Sequence, residues 1–452
     1  MADESRSSLI TIVPDSYIIY KTGGLIKAVN GNTDLIDYSG TDPATVINNT
    51  LNGMTSGGLM FIKKGFYDTS SATINLNNDN TELYMESGAW LQPLSGTNDV
   101  VAVTANNCRL IGVNIDGSSG GAWGINVGGV SSLKSNFWID HCNLNNCGKL
   151  GTTGGILLGI NSGSAIVSNN LVHNSTVSGS YGLLINFSGD HQIFGNVFGG
   201  FVLDGLLVNG SGAGDITITA NELDSNAHNG INLFEPTMVS VVGNQLIENY
   251  RNGIAVGSFT TGNLGNVSIT GNVLRDNSWT NTGTYDGIFL DAAAAAPISN
   301  IACIGNISSN RSGVTQRYGI TLNSVHILDS SILGNSVFNN ASGGINIVAR
   351  DSTVGIRNNP GFVTENTVLS PTFGIDTIGL KGVTIPHGLS ITPNNNDCSL
   401  TVLQNTVVTD WLYNLLAVTS TDATNVYAEI IVTTATGHPN AVANLGLRVG
   451  SP

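Results

Sequence analysis

"SITGNVLRDN", residues 268–277, is a short polar turn that leads into apolar Val273, and its Gly-Asn core returns along the chain. Equivalent asparagines align at Asn114, Asn143, Asn170, Asn196, Asn221, Asn244, Asn272, Asn306 and Asn335, at intervals of 23 to 34 residues. After each comes a glycine with a short apolar alternation, from "GINV" at 124 through "GLLV" at 205 and "GIFL" at 287 to "GINI" at 344. Two markers that keep phase over so many units define a structural repeat. A unit this short cannot bury a core alone and must stack on its neighbours. In "GIFL", Ile288 and Leu290 would point inward while Phe289 and Asp291 point outward, the period of two that a strand requires. Each unit then reads as one coil of short strands, stacked about 4.8 Å from the next in parallel sheets. The recurring asparagine suits a tight bend, where its amide bonds backbone groups and the equivalent amide of the next coil and where it tolerates left-handed geometry. The fold class that follows is all-β, a right-handed parallel β-helix. The closely spaced leucines and the helix per repeat of a leucine-rich horseshoe are absent.

Composition supports this and narrows the partners. The chain has 452 residues, more than one compact core organises, with 57 glycines and only 10% charged residues. Salt-bridged helices are not available to it. A net charge of −15 argues against a nucleic-acid partner, and no apolar run is long enough to span a bilayer. The opening residues, MADESRSSLITIV, show no basic start followed by an apolar stretch, so no signal peptide is visible. Cys108, Cys142, Cys147, Cys303 and Cys398 are too scattered for a disulfide scaffold or a zinc site, which leaves buried free thiols.

Residues 41–54, "TDPATVINNTLNGM", read as a short capping helix, with Asp42 at its start, Pro43 in the first turn, and Val46, Ile47 and Leu51 on one face. Together with "GGLMFIKKGFYDTSSATINL" it resembles the N-terminal cap of the pectate-lyase-like superfamily, which includes phage tailspikes; Lys64-Gly65-Phe66-Tyr67 stands where that family reads Pro-Gly-x-Tyr. The resemblance covers about residues 15–370 and implies the fold. Because the superfamily contains hydrolases, lyases, epimerases and inert adhesins, it does not choose the chemistry. The expected division is a cap over 1–75, a β-helix over 76–372, and a C-terminal all-β module over 373–452 that serves oligomerisation or glycan binding.

Charged and aromatic residues gather on a few coils. Two positions before the repeat glycine stand His228, Arg251, Tyr285 and Arg317; the next column holds Asn229, Asn252, Asp286 and Tyr318. Rings that cover sugar faces beside Arg and Asn read as a saccharide-binding stripe. Four residues after the repeat asparagine, adjacent coils carry Glu248 and Asp276, whose carboxylates would lie about 5 Å apart. That is the spacing of a retaining glycosidase pair and would equally suit a calcium ion, while solvated turn residues are the plain alternative. Glu235, Asp286 and Asp291 form a second acidic set, and Asp204 is more isolated. Trp138-Ile139-Asp140-His141 resembles the pectate-lyase element whose Asp helps hold calcium. The Arg-x-Pro-Arg element that supplies the base of those lyases is missing, as are the Asn-Thr-Asp, Asp-Asp, Gly-His-Gly and Arg-Ile-Lys motifs of polygalacturonase-like hydrolases.

The sequence thus leads to a polysaccharide-cleaving glycoside hydrolase that needs no cofactor, located extracellularly, on a cell surface or on a virion, and assembled as a homotrimer. A polysaccharide lyase using His228, Tyr285 or Tyr318 as base, or a trimeric adhesin that only binds glycan, are the alternatives.

Overall fold

Each repeat folds into three short strands separated by three corners. The computed structural model describes residues 16–362, except 118–119, 129–132, 149–152, 175–180, 211–213, 259–263 and 312–314, and beyond them the backbone of strands between 366 and 449. In one coil the strands are Leu264–Thr270, Val273–Arg275 and Ile288–Leu290, which belong to sheets 1, 2 and 3. Each pairs in parallel with its counterpart one coil on, as in Val267 with Ile301, Leu274 with Ser308, and Ile288 with Ile320. The alternation read from "GIFL" holds: Ile288 and Leu290 are buried, and Phe289 is half-buried on the outer side.

Parallel stacking in sheet 1 starts where Tyr17–Thr22 pairs with Gly58–Ile62, continues through Thr81–Met85, and ends where Ser331–Leu333 pairs with Gly355–Arg357. At the start, helix α1 (Pro43–Gly53) is capped by Asp42, whose carboxylate accepts the Thr45 N–H at 3.0 Å, and it buries Val46, Ile47 and Leu51. Beyond residue 362 the described strands pair antiparallel. Val442–Val449 lies beside Asn366–Leu369 and Cys398–Gln404, and Asn425–Val432 lies between Gly379–Pro386 and Tyr413–Thr421.

The corner between sheets 1 and 2 is built on a buried amide ladder. The Nδ2 of Asn170 donates to Oδ1 of Asn196, and the same bond links Asn196 to Asn221, Asn221 to Asn244, Asn244 to Asn272, Asn272 to Asn306, Asn306 to Asn335 and Asn335 to Asn359, all at 2.8–3.0 Å. Every accepting Oδ1 also takes the backbone N–H of the preceding member. Asn114 and Asn143 stand one residue out of phase. Asn143 pairs with Leu171, so the ladder positions of those coils are Val113 and Cys142, and the ladder starts where Cys142 N–H donates to Asn170. Cys142 is buried and its thiol faces the Leu110 and Asp140 carbonyls; Cys108, Cys147 and Cys303 are buried free thiols too, and the side chain of Cys398 lies outside the described residues.

The residue before each ladder asparagine is left-handed, with φ of 66° at Gly195, 64° at Gly243 and 65° at Gly271. Glycine enters that region without a Cβ penalty, which is why Gly-Asn recurs. The second marker has a packing cause. A Cβ on Gly253 would meet Leu274 Cδ2 at 2.7 Å and the Gly287 carbonyl oxygen at 2.8 Å, so only glycine lets the coil turn into sheet 3 there.

Asn272→Ala removes the acceptor of two Asn244 donors and the donor to Val241. Buried groups left unpaired cost about 1–3 kcal/mol each, so denaturant unfolding should show a loss of at least about 3 kcal/mol. Asn107→Ala, on the exposed ladder Asn80–Asn107–Asn136, should cost less than about 1 kcal/mol.

Candidate functional site

Two surface regions gather chemistry. The first is the corner between sheets 2 and 3, where the predicted stripe lies in order on successive coils: Arg251 N–H donates to the His228 carbonyl, and Arg317 N–H donates to the Tyr285 carbonyl. The adjacent column turns inward as another ladder. Asn229 donates to Asp204, Asn252 to Asn229, and the Asp286 N–H to Asn252, at 2.9–3.2 Å. Asp286 is fully buried; its carboxylate takes Nε and Nη2 of Arg317 at 2.9 and 2.8 Å and the Tyr318 N–H at 3.1 Å. Arg317 is thereby raised above its ordinary pKa, first by that hydrogen bond and further by the charges of Asp286 and Tyr318, against the opposing effect of burial. The Arg251 guanidinium lies 5.7 Å from the Tyr285 ring centroid and that of Arg317 lies 5.4 Å from Tyr318. One face of each ring is therefore engaged by a cation. Burial lowers the His228 pKa, with the Arg251 charge adding to it and Asp204 opposing.

The predicted acids fall at two different corners. Glu248 and Asp276 are aligned on adjacent coils, since Glu248 N–H donates to the Arg275 carbonyl, and both have left-handed backbone. Glu248 is half-buried. Asp276 is 3% exposed, with Oδ1 on the Arg311 N–H at 2.7 Å and Oδ2 at 3.8 Å from Arg275 Nε. Its carboxylate anchors the start of the longer loop after Asn310. Asp286 is committed to Arg317 with both oxygens. Glu235 and Asp291 lie after sheet 3 strands, at the opposite end of those strands from Asp286. Glu235 is 5% exposed, and Asp291 accepts the Ala292 N–H at 3.0 Å. Burial and existing bonds thus leave Asp276 and Asp286 with little surface for a substrate.

Of the second region, the sequence reading singled out only Trp138. Arg109, Trp138, Ile166, Gln192 and Thr217 lie opposite one another in consecutive strands of sheet 1 and form one row along the solenoid axis. They floor a cleft of about 600 Å³. Arg109 lies 5.0 Å from the Trp138 ring centroid, and the indole N–H donates to Ser168 Oγ at 3.2 Å. Asp190 and Asp215 line the same cleft. They are aligned on adjacent coils, because Asp190 N–H donates to the Gly214 carbonyl, and their φ values are 62° and 55°. Both are exposed, and neither carboxylate has a hydrogen-bond or ion-pair partner among the described residues. Adjacent coils set such groups about 5 Å apart.

Asp140 is fully engaged. Its carboxylate accepts from Ser168 at 2.7 Å and Asn169 at 3.1 Å and lies 2.7 Å from His141 Nδ1. Burial pushes its carboxyl up, but these three hydrogen bonds outweigh burial and hold it below the usual carboxylate range. His141, at φ 53°, occupies the left-handed position before the ladder site. Among the described residues, no three His, Cys, Asp or Glu side chains converge as metal ligands, and no helix is long and apolar enough to cross a membrane.

Residues 154–302 match the family described as a right handed beta helix region. That match lies within the stacked coils, and the fold is a right-handed parallel β-helix. Among solved structures this β-helix is similar to the A-module of a mannuronan C-5 epimerase from Azotobacter vinelandii, at 16% identity over 71% of this chain and 95% of that one, with a TM-score of 0.52. It is also similar to the Dettilon tailspike protein, at 13% identity over 90% and 91% of the two chains and a TM-score of 0.50. The enzymatically active domain of bacteriophage CBA120 tailspike protein 2 aligns at 12% identity over 89% of this chain and 66% of that one, with a TM-score of 0.54. No curated protein matches the sequence.

His191, fully buried beneath the cleft, accepts the Ala165 N–H at Nδ1 and meets Ser188 Oγ at Nε2, both at 3.1 Å. Burial pushes its pKa from 6.5 down to about 4. Between those values the unfolded chain binds the proton and the folded one does not. Stability is therefore fully present above about pH 6.5 and falls by about 3 kcal/mol as the pH drops toward 4. The depressed carboxyl of Asp140 loses its contribution only below its ordinary 3.8. Unfolding curves of His191→Gln should lack the slope between pH 6.5 and 4 that the parent chain shows.

Proposed function

We propose that the protein binds an extended polysaccharide along the outer row of sheet 1 and hydrolyses it in the cleft between Trp138 and the Asp190–Asp215 pair. The observation that carries this reading is the pair itself: two exposed, unpartnered carboxylates on adjacent coils, lining one cleft with an aromatic ring. A separation of about 5 Å is that of retaining glycosidases. In that chemistry one carboxylic acid gives its proton to the leaving glycosidic oxygen as the bond to the anomeric carbon breaks. The other carboxylate takes the anomeric carbon as an ester, and a water then cleaves the ester as the first group takes up its proton. Trp138 offers a face for a sugar ring, and Gln192 and Thr217 offer polar groups for its hydroxyls.

The open row along stacked coils also suits a polymer better than a small molecule. Solved structures with this fold include a mannuronan epimerase module and tailspikes, among them the enzymatically active domain of one, which supports a polysaccharide as the partner. An extracellular, cell-surface or virion location and a trimeric assembly go with this reading.

Asp190→Asn and Asp215→Asn should each lower the release of reducing ends from a cleaved polysaccharide by at least about a hundredfold. Binding of the same polymer should stay within about threefold, because an amide keeps the size and polarity of the group. Reducing-end release unchanged by both substitutions would sink the assignment. Products that absorb in the ultraviolet as unsaturated uronates would replace hydrolysis with elimination.

A further inference from the structure

We infer that the corner between sheets 2 and 3 is a separate binding strip for a carboxylate-bearing polysaccharide, with Arg251 and Arg317 as its two anion-binding points. It rests on different residues from the sheet 1 cleft and stands or falls independently of the reaction proposed there.

The distribution of charge points to it. The chain carries 31 acidic against 16 basic residues, yet four of its nine arginines, Arg251, Arg275, Arg311 and Arg317, lie at this one corner on successive coils. The acids of the same corner are unevenly exposed. Asp204, Asp276 and Asp286 are buried at 4%, 3% and 0%, while Glu248 and Asp224 are half-buried. Three of these five carboxylates are thus withdrawn from the surface, and the guanidinium groups are not: Arg311 is exposed, and the side chains of Arg275 and Arg317 are 35% and 33% exposed.

The corner is also built to hold one of these cations still. The ladder Asp204–Asn229–Asn252–Asp286 fixes the Asp286 backbone, and the buried Asp286 carboxylate grips Arg317 through Nε and Nη2. A buried ion pair that served stability alone would gain little over apolar packing. Here it orients a guanidinium at the surface, with three of its five N–H donors unspent among the described residues. Asp286 is a positioning residue for Arg317. Arg251 is held in its turn by stacking on Tyr285.

Arg251 and Arg317 are two coils apart, so their anchoring points are about 10 Å from each other along the solenoid axis. A rigid guanidinium fork matches a carboxylate in plane, and two forks at a fixed repeat match a polymer that presents carboxylates at intervals rather than one small anion. The Tyr285 and Tyr318 rings, each engaged by a cation on one side, add apolar edges for the sugar rings between. That combination selects a polyuronate over a neutral glycan.

The test uses the full chain, with polygalacturonate as the acidic probe and dextran as the neutral one, and binding followed by titration calorimetry. Polygalacturonate should bind, and more weakly as salt is raised, while dextran should not compete. Arg251→Ala and Arg317→Lys should each weaken that binding about tenfold, and Asp286→Asn should do so with Arg317 still present. Asp190→Asn should leave it unchanged. Equal binding of dextran, or undiminished binding by Arg251→Ala, overturns the strip. Where an Asp286 or Arg317 variant fails to fold, Arg251→Ala decides, because that side chain stacks at the surface and its loss leaves the ladder intact. Loss of polygalacturonate binding in Asp190→Asn would assign the polymer to the cleft and also overturn the strip.

Discussion

A buried side-chain amide at a corner is the interaction on which this molecule depends. Within strands, backbone groups pair with the coils on either side. At a corner the backbone leaves the extended geometry of the strands, and a buried N–H or carbonyl there that no neighbour reaches would go unmet. The Asn170–Asn359 ladder meets both demands at once: the Asn221 amide, for example, accepts two N–H groups of Asn196 and donates its own to the Ile193 carbonyl of the same coil. The corner between sheets 2 and 3 repeats the solution with Asn226, Asn249, Asn277 and Gln316. With so few charges in the chain, these neutral networks replace the ion pairs that hold many other folds.

Function follows from what the ladders leave outside. Because the corners are satisfied from within, the outer row of sheet 1 and the outer side of the sheet 2–3 corner are free to carry side chains that the fold does not need. Where a carboxylate takes an amide's place in a ladder, as Asp286 does, the ladder must end or recruit a cation. Arg317 is that cation, so an exception to the scaffold rule becomes a fixed surface charge.

Much of the scaffold was legible because its causes are local. Gly-Asn marks a left-handed residue followed by a ladder amide, and the glycine of "GIFL" marks a corner with no room for a Cβ. The capping helix could be read from Asp42, Pro43 and its apolar face. The phase of Asn114 and Asn143 was misread because a ladder position can also hold Val113 or Cys142, which lack the amide that makes the pattern visible. The stripe from His228 to Arg317 was found in sequence, but not that Asp286 lies beneath it; neighbours in sequence alternate between faces only while the backbone stays extended. Asp190 and Asp215 were missed because Asp190 sits at the third corner and Asp215 near the start of the sheet 1 strand Gly214–Thr219, both away from the two markers. A signal existed: each follows a glycine, and they are 25 residues apart, the same interval as Asn196 to Asn221.

The ladder also has a direction. The Asn244 side chain reaches back, its Oδ1 accepting two N–H groups of Asn221 and its Nδ2 donating to the Ile218 carbonyl, while its own backbone N–H donates to Asn272. Each coil is therefore completed by a side chain that belongs to its successor, as a plug closes the socket made before it. A chain emerging from the ribosome can close these sockets in the order in which they are synthesised, every new turn sealing the last. Assembly from the other end would leave each incoming plug without a socket to enter.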